Sequence, residues 1–449
     1  MALLPVFALG GPLSAALAAD APSSTGVTAT SSDTFLSSLG VNTHIDQGYN
    51  PYAYVEPLRY LGVRNIRDSH RHLTGHLMLH AQTGVMVDLL GIDVSELTAA
   101  ARILARAGAL LAIEGPNEPN NFPITYKGRQ GGGTSLKWLP AWTPDWLVDL
   151  LPSGVSWLPV AELQRDLYSA VKNDPELSRY PVFHVSEGGA ETDNVGLQFL
   201  TIPAGAETLL AEGTGFADYA NAHNYVSGVR AGYVDNQAWQ AADPVLDGRW
   251  DGLYGEYGRT WKRHFPGYSN AQLLTLPRVT TETGWDAASP EEERTQGIVL
   301  VNTYLAQFKR GWRYTFIYQL GEGEGGGGNQ GLFHPDWTPK LAATYIHNLT
   351  SILADNAPVE RPRQLNYTIA NAPPTVHDLL LQKSNGTFEL IVWGEQVSGH
   401  SAITVDLGEP RPKVRIYDVT AGTTPIQVLT AVNSVPLTLS DHALVLEIE

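Results

Sequence analysis

The sequence predicts an α/β protein, a (β/α)8 barrel followed by a small β-sandwich. Three observations point there. Leu110–Ile113 is a short apolar run of the kind buried on both faces of a parallel sheet, and it opens into Glu114-Gly115-Pro116-Asn117-Glu118-Pro119, where two prolines stop strand and helix alike. Comparable runs that end in polar groups alternate with helical stretches up to residue 355. From Asn356 onward short alternating strands take over. The 449 residues hold one barrel of about 250–350 residues plus a second domain of about 100.

Residues 1–20 read as a signal peptide. Leu3–Leu17 is apolar, and small residues follow at Ala18-Ala19, although the basic residues that normally precede such a region are missing. A hydrophobic arm lying on the barrel is the alternative. The barrel then spans 21–355. Ser23–Ser38 is a Ser/Thr-rich lead-in that could lend a strand to the C-terminal domain. Val41–Ile45 is the first barrel strand, Tyr54–Leu61 a helix and Val63–Asp68 the second strand. Gly84–Leu90 is third by order. Val94–Ala107 is a helix rich in alanine and leucine, with Asp93 or Ser95 as its cap. The fourth strand is Leu110–Ile113, and Val160–Lys172 is the helix after it. Tyr180–Glu187 and Phe216–Tyr225 are the fifth and sixth strands. Arg278–Glu282 is the seventh, and Tyr314–Leu320 the eighth. The helix opened by Pro290-Glu291-Glu292-Glu293 is acidic at its N-terminus, as the helix dipole favours. Leu341–Ala354 closes the barrel.

The second domain, 356–449, begins with a Pro-rich joint up to Arg363. Its strands are His377–Lys383, Glu389–Trp393, Ala402–Asp406, Lys413–Asp418, Ile426–Leu429 and Ala443–Ile448, with Asn385-Gly386 as a hairpin signal. A scaffold packed on the barrel and a carbohydrate-binding module are both open to it.

Composition narrows the function classes. A net charge of −17 argues against nucleic acid, whose phosphates call for a basic face, and a neutral glycan is indifferent to it. Cysteine is absent, which removes disulfides, thiolate metal sites and thiol nucleophiles. Apart from the first residues, no apolar run reaches the roughly 18 residues of a membrane span. HExxH and GxSxG do not occur, so neither a catalytic metal nor an esterase elbow is implied. Gly321–Gly328 resembles a phosphate loop only superficially: no Lys-Ser/Thr follows, and Glu322 and Glu324 would repel phosphate. A flexible loop over a cleft suits it better.

Two stretches carry the chemistry. Asn117-Glu118 follows the fourth strand. Arg278-Val279-Thr280-Thr281-Glu282 is a β-branched run that also ends in a carboxylate, with Gly284-Trp285 beyond it. Either glutamate alone could be a cap or an ion-pair residue. Two at strand ends suit a pair of carboxyl groups facing one sugar ring. Glu114 is the lesser candidate for the acid.

At these motifs the chain resembles glycoside hydrolase clan A, the retaining glycosidases on (β/α)8 barrels. Its appended β-domain brings it nearest to family 39 and its neighbours. The resemblance implies Glu118 as acid/base, Glu282 as nucleophile and Asn117 beside the acid on the sugar's 2-hydroxyl. It implies Arg67 and the Tyr225 of His223-Asn224-Tyr225 as groups that hold the nucleophile, with Arg64 a competitor of Arg67. The eighth strand departs from the pattern: where many members of the clan place a tryptophan, this chain offers Tyr318 and Gln319. His44, Trp285, Trp138 and Trp142 are further sugar-binding candidates. Those last two, with Trp146 and Trp157, could instead form the core of a subdomain. His70, Arg71 and His72 either line the cleft or sit in a solvated loop. The expected protein is a secreted or periplasmic β-glycoside hydrolase acting on an oligo- or polysaccharide, without cofactor or metal. A barrel that only binds carbohydrate, and a transglycosylase using the same residues, remain open.

Overall fold

Eight short parallel strands are built where the sequence places apolar runs that end in polar groups. The computed structural model describes residues 26–133, 156–186, 196–226, 236–245, 268–396 and 398–449. The strands are β1 (Leu39–Asn42), β2 (Asn65–Ser69), β3 (Met86–Leu90), β4 (Leu110–Glu114), β5 (Val182–Phe183), β6 (Ala220–Ala222), β7 (Arg278–Thr283) and β8 (Thr315–Ile317). They pair in the order β6-β7-β8-β1-β2-β3-β4-β5. A parallel bridge between Phe183 and Tyr219 closes the ring. The fold is a (β/α)8 barrel. Several strands are shorter than the apolar runs suggested, the fifth and sixth most of all. Only the residues that pair with a neighbour count as strand, and the rest of each run already belongs to the loop above it.

The barrel's interior is filled by side chains. Ala112, Phe183, Val279 and Phe316 form one buried cluster. Gly40 on β1 leaves room for Phe316, since a Cβ there would lie 2.4 Å from the ring. Around the outside, α1 (Val55–Leu61), α2 (Leu73–Thr83), α3 (Val94–Arg106), α4 (Leu158–Lys172), α5 (Glu293–Lys309) and α6 (Leu341–Ile352) are among the covering helices. Asp93 caps α3 by accepting from the amides of Ser95 and Glu96.

The second domain is a β-sandwich. Its strands are β9 (Thr368–Ala370), β10 (Val376–Gln382), β11 (Phe388–Gly394), β12 (Ser401–Asp418), β13 (Gln427–Leu439) and β14 (Ala443–Ile448). The lead-in supplies an edge, with Thr30–Ser31 running parallel to Leu381–Gln382. The two strands expected at Ala402–Asp406 and Lys413–Asp418 are one, β12. Its ladder with β13 shifts register between Asp406 and Arg411, so the strand bends at a bulge instead of ending. Leu379, Leu381, Ile391, Trp393 and Val445 join the barrel's core cluster. Their alternates Leu380, Leu390, Val392, Leu444 and Leu446 fill the sandwich's own core. Both faces of these strands are therefore buried.

Candidate active site

The loops above the C-terminal strand ends bring the polar residues together. After β4, Asn121 and Phe122 donate their amides to the Glu118 carbonyl, and Glu118 itself adopts a positive φ of 39°. A non-glycine residue there is strained, which is common where a side chain must be aimed at a ligand. Gly115 permits the turn, because a Cβ would fall 1.9 Å from the Gln164 amide oxygen. On β7, strict alternation would send Thr281 and Glu282 to opposite faces. The β7–β8 register shifts between Thr280 and Thr283, and both side chains reach the barrel interior.

Arg67 is the hub. Its Nε and Nη2 donate to the two oxygens of Glu114 at 2.7 and 2.8 Å. Nη1 donates to Glu282 at 2.7 Å, and Nη2 also donates to the Asn117 carbonyl oxygen at 2.8 Å. Burial would lower its pKa, but the charge of Glu114, then that of Glu282, keeps it raised and the guanidinium charged. The second oxygen of Glu282 accepts from the Tyr225 hydroxyl at 2.9 Å. Burial, and then the charge of Glu282, push the Tyr225 phenol well above its ordinary value, so it stays a donor.

Glu118 faces a different set. His223 Nδ1 lies 2.7 Å from its Oε1 and 3.5 Å from Glu282 Oε2, while the Asn121 amide donates to its Oε2 at 2.8 Å. Burial would raise this carboxyl, but the His223 hydrogen bond and charge, then Asn121, hold it down to about 2. Burial likewise opposes charge on His223, yet Glu282 and then Glu118 raise its pKa. Each therefore favours the charged form of the other.

Beneath them lies a buried polar layer. Glu114 also accepts from Asn221 and Thr281, each at 3.1 Å. Burial would raise Glu114, but the Arg67 charge and hydrogen bonds lower it. Burial and then the Glu114 charge push Asp88 well above its ordinary value. Glu114 is thus the buried partner of Arg67 and not an accessible acid. Its alternation with Ala112 along β4, which puts both inside, was the available signal. The parts of Asp88, Asn221 and Thr281 had no signal beyond polarity within an apolar run.

The remaining candidates divide. A recess beside Glu282 is lined by Asn42, His44, Asp46, Arg67, Asp68 and Asn117. Tyr318 sits edge-on to His44, ring centroids 5.4 Å apart, and 6.5 Å from the Tyr225 ring. Gln319 does not face the recess: its amide is buried and donates to the Glu324 carbonyl. The peptide between Tyr318 and Gln319 is cis. Trp285 lies in the hydrophobic core cluster, with its indole nitrogen buried. Trp157 is likewise core, because it must pack beneath α4. Arg64 is occupied below the barrel by Asp33 and Asp355. His70 is taken up by the Leu90 carbonyl and Glu96, while Arg71 and His72 are exposed. The loop 321–328 is anchored rather than loose: Glu322 accepts from the buried Lys340, and Glu324 from the Tyr54 hydroxyl. Trp138, Trp142 and Trp146 lie outside the described residues, as does Glu187 at the end of the expected fifth strand.

Glu118, His223 and Glu282 carry donor atoms within 4.8 Å of one another. A divalent ion among them would meet the Arg67 guanidinium, which ion-pairs with Glu282, and an imidazole whose pKa these carboxylates raise.

No family model and no curated protein matches the sequence. Solved structures do. One is a family 39 glycoside hydrolase from the gut symbiont Bacteroides cellulosilyticus, with a TM-score of 0.55 at 15% identity, covering 93% of this chain and 82% of that one. Another is a family 30 endoxylanase from Clostridium papyrosolvens, with a TM-score of 0.52 at 10% identity, covering 95% and 97%. At such identities the likeness is one of fold. The resemblance to glycoside hydrolase clan A that rests on two glutamate motifs thus extends, as architecture, over almost the whole chain.

Proposed function

We propose that this protein is a retaining glycoside hydrolase that cleaves β-glycosidic bonds of an oligo- or polysaccharide. The observation that carries the reading is the spacing of the two carboxylates, an oxygen of Glu118 and one of Glu282 being within 4.8 Å. Retaining pairs stand about 5–5.5 Å apart and inverting pairs about 6.5–9.5 Å, because an inverting pair must leave room for water.

In this reading Glu282 attacks the anomeric carbon while Glu118 protonates the departing oxygen. Arg67 and Tyr225 hold the nucleophile by its two oxygens and aim it. Asn117, fixed by Arg67, presents its amide to the sugar's 2-hydroxyl. In the second half-reaction Glu118 acts as base toward water, and the His223 and Asn121 hydrogen bonds that hold its carboxyl low favour the ionised form that step requires.

Two variants and one trap test the assignment. A 2-deoxy-2-fluoro glycoside should label Glu282, found by peptide mapping. Glu118→Ala should keep activity on substrates with very good leaving groups and regain rate with azide, giving a β-glycosyl azide. Glu282→Ala should form no glycosyl-enzyme. Labelling of any other carboxylate would overturn the roles.

A further inference from the structure

We infer that His223 is the proton carrier of this site: the Glu118–His223 pair, rather than Glu118 alone, holds the proton that reaches the leaving group. The inference rests on the glycosidase reading above and adds the residue that supplies its acid step.

The geometry makes the imidazole a double donor. Nδ1 faces two carboxylates, Glu118 Oε1 at 2.7 Å and Glu282 Oε2 at 3.5 Å, and only an N–H is favourable there. Nε2 lies 3.1 Å from Thr281 Oγ1. That hydroxyl has one hydrogen, with acceptors at Glu114 Oε1, 3.1 Å away, and Asn221 Oδ1, 3.0 Å away. It also accepts from the Asn221 amide at 2.8 Å. The buried Glu114 carboxylate is the strongest acceptor in its reach, so its hydrogen goes there and its remaining lone pair turns to Nε2, which donates as well. Both ring nitrogens carry protons, and the ring is an imidazolium. The groups facing it settle the balance of charge. Glu118 comes from the β4 loop, Glu282 from β7, Glu114 from β4 through Thr281, and Arg67 from β2. Tyr225 is neutral. Three carboxylates oppose one guanidinium.

Acid catalysis needs the opposite arrangement, a neutral Glu118. The proton is one hydrogen bond away. As the glycosidic oxygen enters, the Nδ1 proton passes to Glu118 Oε1 and the carboxyl turns toward the substrate. The same proton moves to the leaving oxygen as its bond to the anomeric carbon breaks and Glu282 forms the new bond. His223 is left neutral. In the second half-reaction Glu118 takes a proton from water as the water oxygen bonds to the anomeric carbon and the bond to Glu282 breaks. That proton then returns to His223, so each turnover restores the pair.

Because the pair holds one proton until the imidazolium is lost, the alkaline limb of kcat/KM belongs to the pair. In His223→Gln a hydrogen-bond donor remains but nothing titrates. The limb then belongs to Glu118 alone and moves to lower pH by about one unit or more. A 2,4-dinitrophenyl glycoside, whose leaving group needs no proton, should be cleaved with far less loss than the phenyl glycoside of the same sugar. A wild-type measurement guards against a misfolded variant: nitrogen NMR of the histidine rings should show His223 doubly protonated at pH 7, and singly protonated at that pH in Glu118→Gln. A neutral His223 at pH 7, coincident alkaline limbs, or equal losses on the two leaving groups would each overturn the inference. Wild-type protein that cleaves no aryl glycoside at all would overturn the proposed function first, before any variant is made.

Discussion

At the scale of single residues, Arg67 shows how one side chain fixes several others. Every guanidinium nitrogen donates, to Glu114, Glu282 or Asn117, and the side chain is almost completely buried. Replacing it by Met would leave Glu114 buried with an uncompensated charge and free the nucleophile. Arg67→Met should cost about 3–5 kcal/mol in urea unfolding and abolish measurable turnover. Glu118 and Glu282 stood out in the sequence as carboxylates at the ends of apolar runs, whereas Arg67 and Tyr225 entered only through the resemblance to clan A; the fold brings the four side chains close together. What they touch was less legible. Glu114 read as a lesser acid, and only its burial against Arg67 shows that it supports the site. Gln319 and Trp285 read as sugar contacts, yet each turns inward to satisfy or fill the protein interior. Nothing local in a sequence tells the two directions of a loop side chain apart.

At the scale of elements, registers and bends carry the function. The bulge on β7 lets Thr281 and Glu282 share the interior, and alternation alone predicts that one of them would not. Gly40 does the converse on β1, keeping a space empty for the Phe316 ring. Gly40→Ala should therefore destabilise by about 1–3 kcal/mol through overpacking, measured by chemical unfolding, although alanine is the smaller perturbation anywhere else on a strand. The strand types and their order followed from apolar runs and caps. Their lengths did not, because pairing with a neighbour is a tertiary fact. At β12, Gly408, Pro410 and Pro412 lie between the two stretches expected as separate strands, yet they do not end the strand. They instead allow a bend, placed where the ladder shifts and the missing proline N–H groups cost little.

At the scale of the whole molecule, the sandwich is a structural part of the barrel's outer wall. Trp393 and its neighbours share a core with α5 and α6, and Asn302 and Asn236 both donate to the Asp441 carbonyl. A chain cut at residue 355 should be insoluble or unfolded, and the full chain should melt in one calorimetric transition. The same interface contains His442, held between Asp418 at 3.3 Å and Asp441 at 2.9 Å, with Arg294 on Asp441. Burial opposes its charge, but the hydrogen bonds to Asp418 and then Asp441 raise its pKa to about 9. A histidine raised on folding lends stability that is complete below its unfolded value near 6.5 and is lost as pH climbs through 9. Wild type should lose on the order of 2 kcal/mol across that window. His442→Asn should start less stable and show little slope there.

The central claim is that two carboxylates standing this close act by double displacement. Proton NMR of the first-formed hemiacetal tests it most directly, followed on a β-glycoside before mutarotation sets in. The account predicts the β-anomer, the configuration retained through an intermediate on Glu282. An initial α-anomer would contradict it, since water would then have attacked directly and neither glutamate would hold the role given to it.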